Sequence, residues 1–178
     1  RRDLLALTRA VQEAVAEVPG VTVVVNDAVD VALLADADGV HVGQDDLPVT
    51  EVRALIGAHR LLGLSVSSPA EVAAALALPT GTLDLVGVSP VWGTPTKPDA
   101  GPALGLDGTR ELAAVARAGG LTAVAIGGIG ADRAAEVAAT GVDGICVVSA
   151  LCAAADPASA ARELRRELSR GVPTEVYR

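Results

Sequence analysis

Methionine and phenylalanine are absent from the 178-residue chain, and its aromatic residues are Trp92 and Tyr177 alone. Two aromatic side chains cannot form the stacking platforms that bind single-stranded nucleic acids. A chain translated from its own start codon begins with methionine, so we expect that an amino-terminal part of the natural protein is missing. Cysteine is also scarce, because two cysteines in a chain of this length do not make a disulfide framework.

Basic residues and long apolar runs are lacking too. The 14 Lys and Arg against 22 Asp and Glu give a net charge of −8, whereas nucleic-acid-binding surfaces are basic. No apolar run approaches the roughly 20 residues of a membrane helix, and the charged start is unlike a secretory signal. Hydrophobic residues form 51% of the chain, too many for a disordered protein. We therefore expect a cytoplasmic protein that binds neither nucleic acid nor membrane, while a homo-oligomer stays open.

Short apolar runs alternate with helical stretches along the chain, which predicts an α/β protein. The predicted strands are Val21–Val25, Gly39–Val42, Leu61–Ser65, Leu83–Val88, Leu121–Ile126 and Gly144–Val148. The predicted helices are Arg2–Glu17, Asp27–Asp36, Val49–Ala58, Pro69–Leu78, Leu106–Ala118, Ala131–Thr140 and Pro157–Arg170. Strands that are apolar almost throughout are typical of a parallel sheet buried on both faces. No Ser- or Pro-rich linker divides the chain, so we expect a single domain over residues 1–178.

Polar residues follow the predicted strands directly, and this position decides between two α/β folds. A doubly wound sheet would spread such residues along an edge, and no strand is followed by the GxGxxG motif of dinucleotide-binding domains. In a (β/α)8 TIM barrel all strand ends converge on one rim, where active sites lie. We therefore predict a (β/α)8 barrel, of which the six predicted strands supply all but two.

Two of these strand ends carry carboxylates. Asn26 and Asp27 follow the first strand, and Gly43–Asp46 follows the second. Hard oxygen ligands at neighbouring strand ends suit Mg²⁺, which uses one or two carboxylates with water and substrate phosphate. The alternative is that Asp27 and Asp46 cap the helices that follow, because aspartate is a favoured N-cap residue.

Three further segments suit phosphate. Gly127–Gly130 follows a strand and opens a helix, where backbone N–H groups bind anions. Val148 and Ser149 follow the last strand, which is the usual place for phosphate in these barrels. Thr94–Lys97, with the sequence Thr-Pro-Thr-Lys, offers two hydroxyls and one ammonium group. The alternatives are a tight turn that needs glycine and a solvated surface loop.

Two residues within apolar runs are assigned to the interior. His41 lies inside the second predicted strand and is interpreted as a core or supporting histidine rather than a base. Cys146 lies inside the last one and is predicted to be a buried core residue, as free cysteines commonly are.

Taken in chain order, these motifs resemble those of the thiamine-phosphate synthase family. The matching segments are Val25–Asp27, Ala37–Asp46, Gly63–Ser65, Gly87–Pro90, Thr94–Lys97, Ala125–Ile129 and Val148–Ala150. The segment from Asp38 to Asp46 and the Thr-Pro-Thr-Lys segment are the most specific, whereas Gly-Gly-Ile occurs in many phosphate-binding barrels. The resemblance covers the chain from about Val21 to Leu168.

The resemblance implies a transferase that couples hydroxymethylpyrimidine diphosphate to a thiazole phosphate, carboxylated in some organisms, and releases pyrophosphate. It implies that Asp27 and Asp46 bind Mg²⁺. It also implies that Asn26 and Lys97 bind the diphosphate and that Ser65 contacts the pyrimidine, with Ser65 and Lys97 acting in catalysis. The residues it assigns to the thiazole phosphate are Thr94, Thr96, Gly128, Val148 and Ser149, and it assigns Pro95 to substrate binding.

One motif of the family has no counterpart here. The family carries a Gln-x-Arg-x-Lys segment on its second barrel strand, whereas Arg1 and Arg2 already open a helix in this chain. We expect that two βα units precede the chain in the natural protein. Two rival functions stay open: a thiazole tautomerase of the same barrel family, which has no need for a metal–diphosphate site, and a phosphate-binding barrel without activity.

Overall fold

A computed structural model of the chain describes residues 1–93 and 101–171, which form an α/β fold. The strands are β1 (Val24–Asn26), β2 (Gly39–Val42), β3 (Leu61–Val66), β4 (Leu85–Val88), β5 (Thr122–Ile126) and β6 (Gly144–Cys146). The helices are α1 (Arg2–Val15), α2 (Val29–Ala35), α3 (Val49–Ile56), α4 (Pro69–Leu76), α5 (Gly105–Ala118), α6 (Ala131–Ala138), α7 (Ser149–Cys152) and α8 (Pro157–Gly171). The predicted alternation of strand and helix is confirmed.

The six strands lie in one sheet in their chain order. β1, β2 and β3 pair in parallel, as do β5 and β6. Asn26 lies opposite His41, and His41 lies opposite Gly63. Parallel pairing brings the carboxyl ends of neighbouring strands to the same edge. The polar residues after β1, β2 and β3 therefore share one edge.

An aspartate stands directly before β2, β4 and β6, and each makes the same pair of hydrogen bonds. The N–H of Asp38 donates to the carbonyl of Val23 at 3.0 Å, and Asp38 Oδ2 accepts from the N–H of Val23 at 2.6 Å. The other pairs are Asp84 with Leu62 and Asp143 with Ala123. We call Asp38, Asp84 and Asp143 the aspartate clamps. Each adds a side-chain bond to the ladder at the amino end of its strand.

Some element bounds differ from the sequence prediction. α2 begins at Val29 rather than Asp27, because Asp27 has a φ of 60° and donates its N–H to the carbonyl of His41 at 2.8 Å. Asp27 therefore extends the end of β1 instead of opening the helix. The last predicted strand was too long, since β6 ends at Cys146 and the short helix α7 begins at Ser149.

The chain divides into two compact units, which are Arg1–Ser65 with Ala77–Leu85, and Val66–Leu76 with Val86–Arg178. Fully buried residues of the first unit include Val40, Val42, Val52, Ile56 and Leu62. A buried cluster of the second unit comprises Val91, Ala125, Ile129 and Val137, against which Trp92, Leu106, Val142, Ile145 and Val147 pack. Each unit thus has its own aliphatic core.

Arg53 on α3 ties together the segments that lead into β3 and β4. Its guanidinium donates to the carbonyls of Gly57, Arg60 and Thr82 and pairs with the carboxylate of Asp84 at 2.7 Å. The Arg53 side chain is 13% exposed, so water cannot readily replace it.

We expect Arg53→Met to lower the free energy of unfolding by about 3 kcal/mol, because three carbonyls and a carboxylate lose this donor. Arg110→Met is the matched control: Arg110 also pairs with an aspartate, Asp107, but the two side chains are 51% and 98% exposed. We expect the control to lose less than about 0.5 kcal/mol. Denaturant unfolding measures both values, and equal losses would contradict the role of Arg53.

Within the described ranges, no helix is both long enough and apolar enough to span a membrane.

Three expectations about the fold stay predictions. They are the closed eight-stranded barrel, the single domain over residues 1–178 and the two preceding βα units.

Candidate active site

The first predicted site residues follow β1 in the first unit. Asn26 is the last residue of β1 and Asp27 comes next, and both are exposed. The N–H of Ala28 donates to the carbonyl of Asn26 at 2.7 Å. This tight turn, together with the bond from Asp27 to His41, holds Asn26 and Asp27 at the carboxyl end of β1.

Asp46 lies in the turn that follows β2. Its Oδ2 accepts a hydrogen bond from the N–H of Gly43 at 2.7 Å, and its own N–H donates to the carbonyl of Gly43 at 3.4 Å. Asp46 is therefore folded back towards the carboxyl end of β2, although it is four residues beyond Val42, the last residue of that strand. Its side chain is exposed to solvent and to any ligand at this edge.

Neither aspartate is the N-cap residue of the helix that follows. Those residues are Ala28 for α2 and Pro48 for α3, and neither makes a side-chain cap. The capping interpretation of Asp27 and Asp46 is therefore wrong.

The oxygen ligands at this edge fit Mg²⁺. Among the described residues, no three His, Cys, Asp or Glu side chains cluster as metal ligands, so a closed all-protein site is not formed from them. Mg²⁺ needs only one or two protein carboxylates when water and substrate phosphate supply the other oxygens. Asp27 and Asp46, at neighbouring strand ends, match that requirement.

Ser65 lies next to the last residue of β3 and is half-buried. Its Oγ lies 2.9 Å from Nε2 of His41, and its carbonyl accepts a hydrogen bond from the side-chain amide of Gln44 at 2.7 Å. The interpretation of His41 as a supporting residue agrees with this contact. The contact of Gln44 was missed, and the one signal for it is its position just past the end of β2.

In the second unit, the glycine turn follows β5. Gly127 and Gly128 have φ values of 113° and 66°. A Cβ at Gly127 would lie 2.8 Å from the Cβ of Pro90, and a Cβ at Gly128 would lie 3.0 Å from the Cβ of Trp92. The turn therefore needs glycine at both positions. Gly128 is exposed, so a ligand can reach its backbone.

Trp92 packs against the glycine turn and against α6. Its N–H donates to the carbonyl of Gly127 at 3.1 Å. The guanidinium carbon of Arg133 on α6 lies 4.7 Å from the centre of the Trp92 ring, which is the range of a cation–π interaction. This pair could not be predicted from sequence, because Trp92 and Arg133 are far apart in the chain.

Val148 and Ser149 lie at the start of α7, and both are exposed.

Cys146 is the last residue of β6, and the residue as a whole is exposed to solvent, so its prediction as a buried core residue was wrong. Neighbouring atoms nevertheless desolvate its sulfur, which raises the pKa of the Cys146 thiol above its usual value. The thiol therefore stays protonated at neutral pH and is a poor nucleophile.

The remaining predicted site residues lie outside the described residues. They are Thr94, Pro95, Thr96 and Lys97.

Comparisons with known proteins agree on one family. Residues 1–151 match the family model described as thiamine monophosphate synthase. The thiamine-phosphate synthase of Laribacter hongkongensis is 49% identical over 164 residues, which cover 92% of this chain and 74% of that protein.

Two solved structures are similar in fold. The thiamine phosphate pyrophosphorylase from Pyrococcus furiosus matches with a TM-score of 0.83 and 34% identity, over 97% of this chain and 79% of that chain. The 3-hexulose-6-phosphate synthase from Salmonella typhimurium matches with a TM-score of 0.69 and 22% identity, over 94% and 81% of the two chains. The second likeness concerns the fold alone.

Proposed function

Because this chain belongs to the thiamine monophosphate synthase family, we propose that it is a transferase that makes thiamine phosphate. It condenses 4-amino-2-methyl-5-hydroxymethylpyrimidine diphosphate with a thiazole phosphate, carboxylated or not, and releases pyrophosphate, together with CO₂ when the thiazole is carboxylated. The observation that supports this reaction is the oxygen-rich edge after β1 and β2, with Asn26, Asp27 and Asp46. A thiazole tautomerase has no leaving diphosphate and therefore no use for such an edge.

Asp27 and Asp46 are the proposed Mg²⁺ ligands. Mg²⁺, when bound, offsets the negative charge that grows on the diphosphate as the carbon–oxygen bond breaks. The side-chain amide of Asn26 donates to diphosphate oxygens, and the ammonium group of Lys97 adds a second positive charge. Stabilisation of developing charge by groups already in place is usually the largest part of catalysis.

The pyrimidine itself favours departure of the diphosphate. Its amino group donates electron density to the ring, so the carbon–oxygen bond breaks first and leaves a pyrimidine cation. The thiazole nitrogen then attacks the exocyclic carbon of that cation. Ser65 contacts the pyrimidine, and no covalent nucleophile is needed. Holding the two substrates within reach of each other supplies much of the remaining acceleration.

The thiazole phosphate is proposed to bind at the glycine turn and at the start of α7. The exposed backbone of Gly128 suits an anion, because glycine permits close approach of backbone N–H groups. The residues proposed to bind this substrate are Thr94, Thr96, Gly128, Val148 and Ser149, and Pro95 is proposed to contribute to substrate binding. The proposed partners are thus phosphorylated small molecules rather than nucleic acid or membrane, and the proposed compartment is the cytoplasm.

The test is direct. The protein is mixed with both substrates and Mg²⁺, and thiamine phosphate and pyrophosphate are measured in equal amounts over time. Omission of either substrate, or addition of EDTA, should abolish both products. Tight binding of the thiazole phosphate without any product would refute the proposal and favour the tautomerase or the barrel without activity. An assay for the conversion of one thiazole tautomer into the other distinguishes these two.

A further inference from the structure

His41 stands directly opposite Gly63 in the pairing of β2 with β3. In β2, His41 is half-buried between the fully buried Val40 and Val42. Because successive side chains of a strand point to opposite faces, His41 projects from the face opposite to its two valine neighbours. Gly63 and Ser65 share one face of β3 for the same reason.

Gly63 leaves the space that the His41 ring occupies. A Cβ at residue 63 would lie 2.3 Å from Nδ1 of His41 and 2.9 Å from Cδ1 of Leu85. With no side chain there, the ring lies over β3 and its other nitrogen, Nε2, reaches Oγ of Ser65 at 2.9 Å. The ring therefore bridges two residues of the neighbouring strand, one by packing and one by a hydrogen bond.

We propose that His41 is a positioning residue that acts through Ser65, and that Gly63 is the small residue that makes this possible. The inference rests on the proposed function, in which Ser65 contacts the pyrimidine. A serine hydroxyl has one proton and two lone pairs. When that proton is directed to Nε2 of His41, the lone pairs of Ser65 are left to accept from the amino group of the pyrimidine.

Such an acceptor assists the proposed reaction. A hydrogen bond from the amino group to Ser65 lets the group donate more electron density to the ring, which stabilises the pyrimidine cation. Without His41 the hydroxyl can rotate and present its proton instead, which repels the amino group. The bond from Gln44 to the Ser65 carbonyl fixes the backbone, so the hydroxyl direction is the freedom that His41 removes.

The experiment is a double-mutant cycle on the active protein with His41→Leu, Ser65→Ala and the pair. We expect His41→Leu to lower kcat about tenfold, because the variant loses one hydrogen bond to Ser65. The KM for thiazole phosphate should stay unchanged. In the Ser65→Ala background, His41→Leu should change kcat less than about twofold, because residues that act through one contact are not additive. His41→Gln, which keeps a polar group near Nε2, should recover most of the activity.

Two controls separate positioning from folding. His59, the other histidine of the chain, is exposed, and His59→Leu should leave kcat unchanged. Gly63→Ala should reproduce the loss in kcat of His41→Leu, because the new methyl group displaces the ring.

The outcomes distinguish a failure of the proposed function from a failure of the proposed role of His41. A wild-type protein that makes no thiamine phosphate overturns the proposed function and this inference with it. An active wild type in which the two single losses multiply in the double variant, or in which His41→Leu acts through a lowered melting temperature, overturns the inference alone.

Discussion

Asp27→Asn should lower kcat/KM for thiamine phosphate formation by about 100-fold or more, the size of effect seen when one group that stabilises developing charge is removed. The change removes a carboxylate from the proposed Mg²⁺ site and leaves the shape of the side chain intact. Asparagine is the right replacement because Asp27 has a φ of 60°, which asparagine tolerates and alanine does not. Rates measured over a range of Mg²⁺ concentrations should show a higher requirement for the metal as well as a lower maximum.

Asp36→Asn is the matched control for this variant. Asp36, which follows the last residue of α2, is the other described non-glycine residue with a positive φ, at 54°. Its carboxylate pairs with Arg60. The same change of charge at the same backbone conformation should leave the Mg²⁺ dependence as it is. If Asp27→Asn also leaves both the rate and the Mg²⁺ dependence unchanged, Asp27 is not a metal ligand.

Gly128→Ala should raise the KM for thiazole phosphate by about 10- to 100-fold, which corresponds to one or two charge-assisted hydrogen bonds. The added methyl group would lie 3.0 Å from the Cβ of Trp92 and 3.3 Å from the carbonyl oxygen of Gly93. Relief of this contact turns the backbone of residue 128 away from the position at which it can bind phosphate. The KM for the pyrimidine diphosphate should stay within about twofold of wild type.

Gly120→Ala is the control for backbone strain. Gly120 has a φ of 86°, and apart from its chain neighbours no described residue has an atom within 4 Å of the position that a Cβ would take. This variant should lose about 1 kcal/mol of stability through its positive φ and keep both KM values. Equal KM values for Gly128→Ala and wild type, with both proteins folded, would show that the turn does not bind the phosphate.

Residue pattern was sufficient to predict the elements but not the contacts between them. The apolar run from Gly39 to Val42 predicted β2 to the residue, because a strand buried on both faces has a continuous signal. Asp27 was assigned to a helix instead, since its αL conformation depends on a hydrogen bond to the carbonyl of His41, a residue on another strand. Information of that kind is not present in the local sequence.

In the candidate site, too, positions along the chain were predictable from sequence and contacts between strands were not. Asn26, Asp27 and Asp46 were identified because they follow strands, and strand ends can be read from the sequence. The approach of His41 to Ser65 depends on the register of β2 against β3, and on the absence of a side chain at Gly63. Register is a property of the sheet, so the residues next to His41 in the sequence are not enough to predict it.

The aspartate clamps have a consequence for how the register of the sheet is set. Each clamp bonds to the backbone N–H and carbonyl of its partner, so these two hydrogen bonds can form with any partner residue except proline, which has no N–H. The clamp therefore needs no matched side chain at Val23, Leu62 or Ala123, whereas burial in the core keeps Leu62 and Ala123 apolar. One aspartate per clamped strand thus helps to set the register at the amino ends of the strands, away from the proposed site residues at their carboxyl ends.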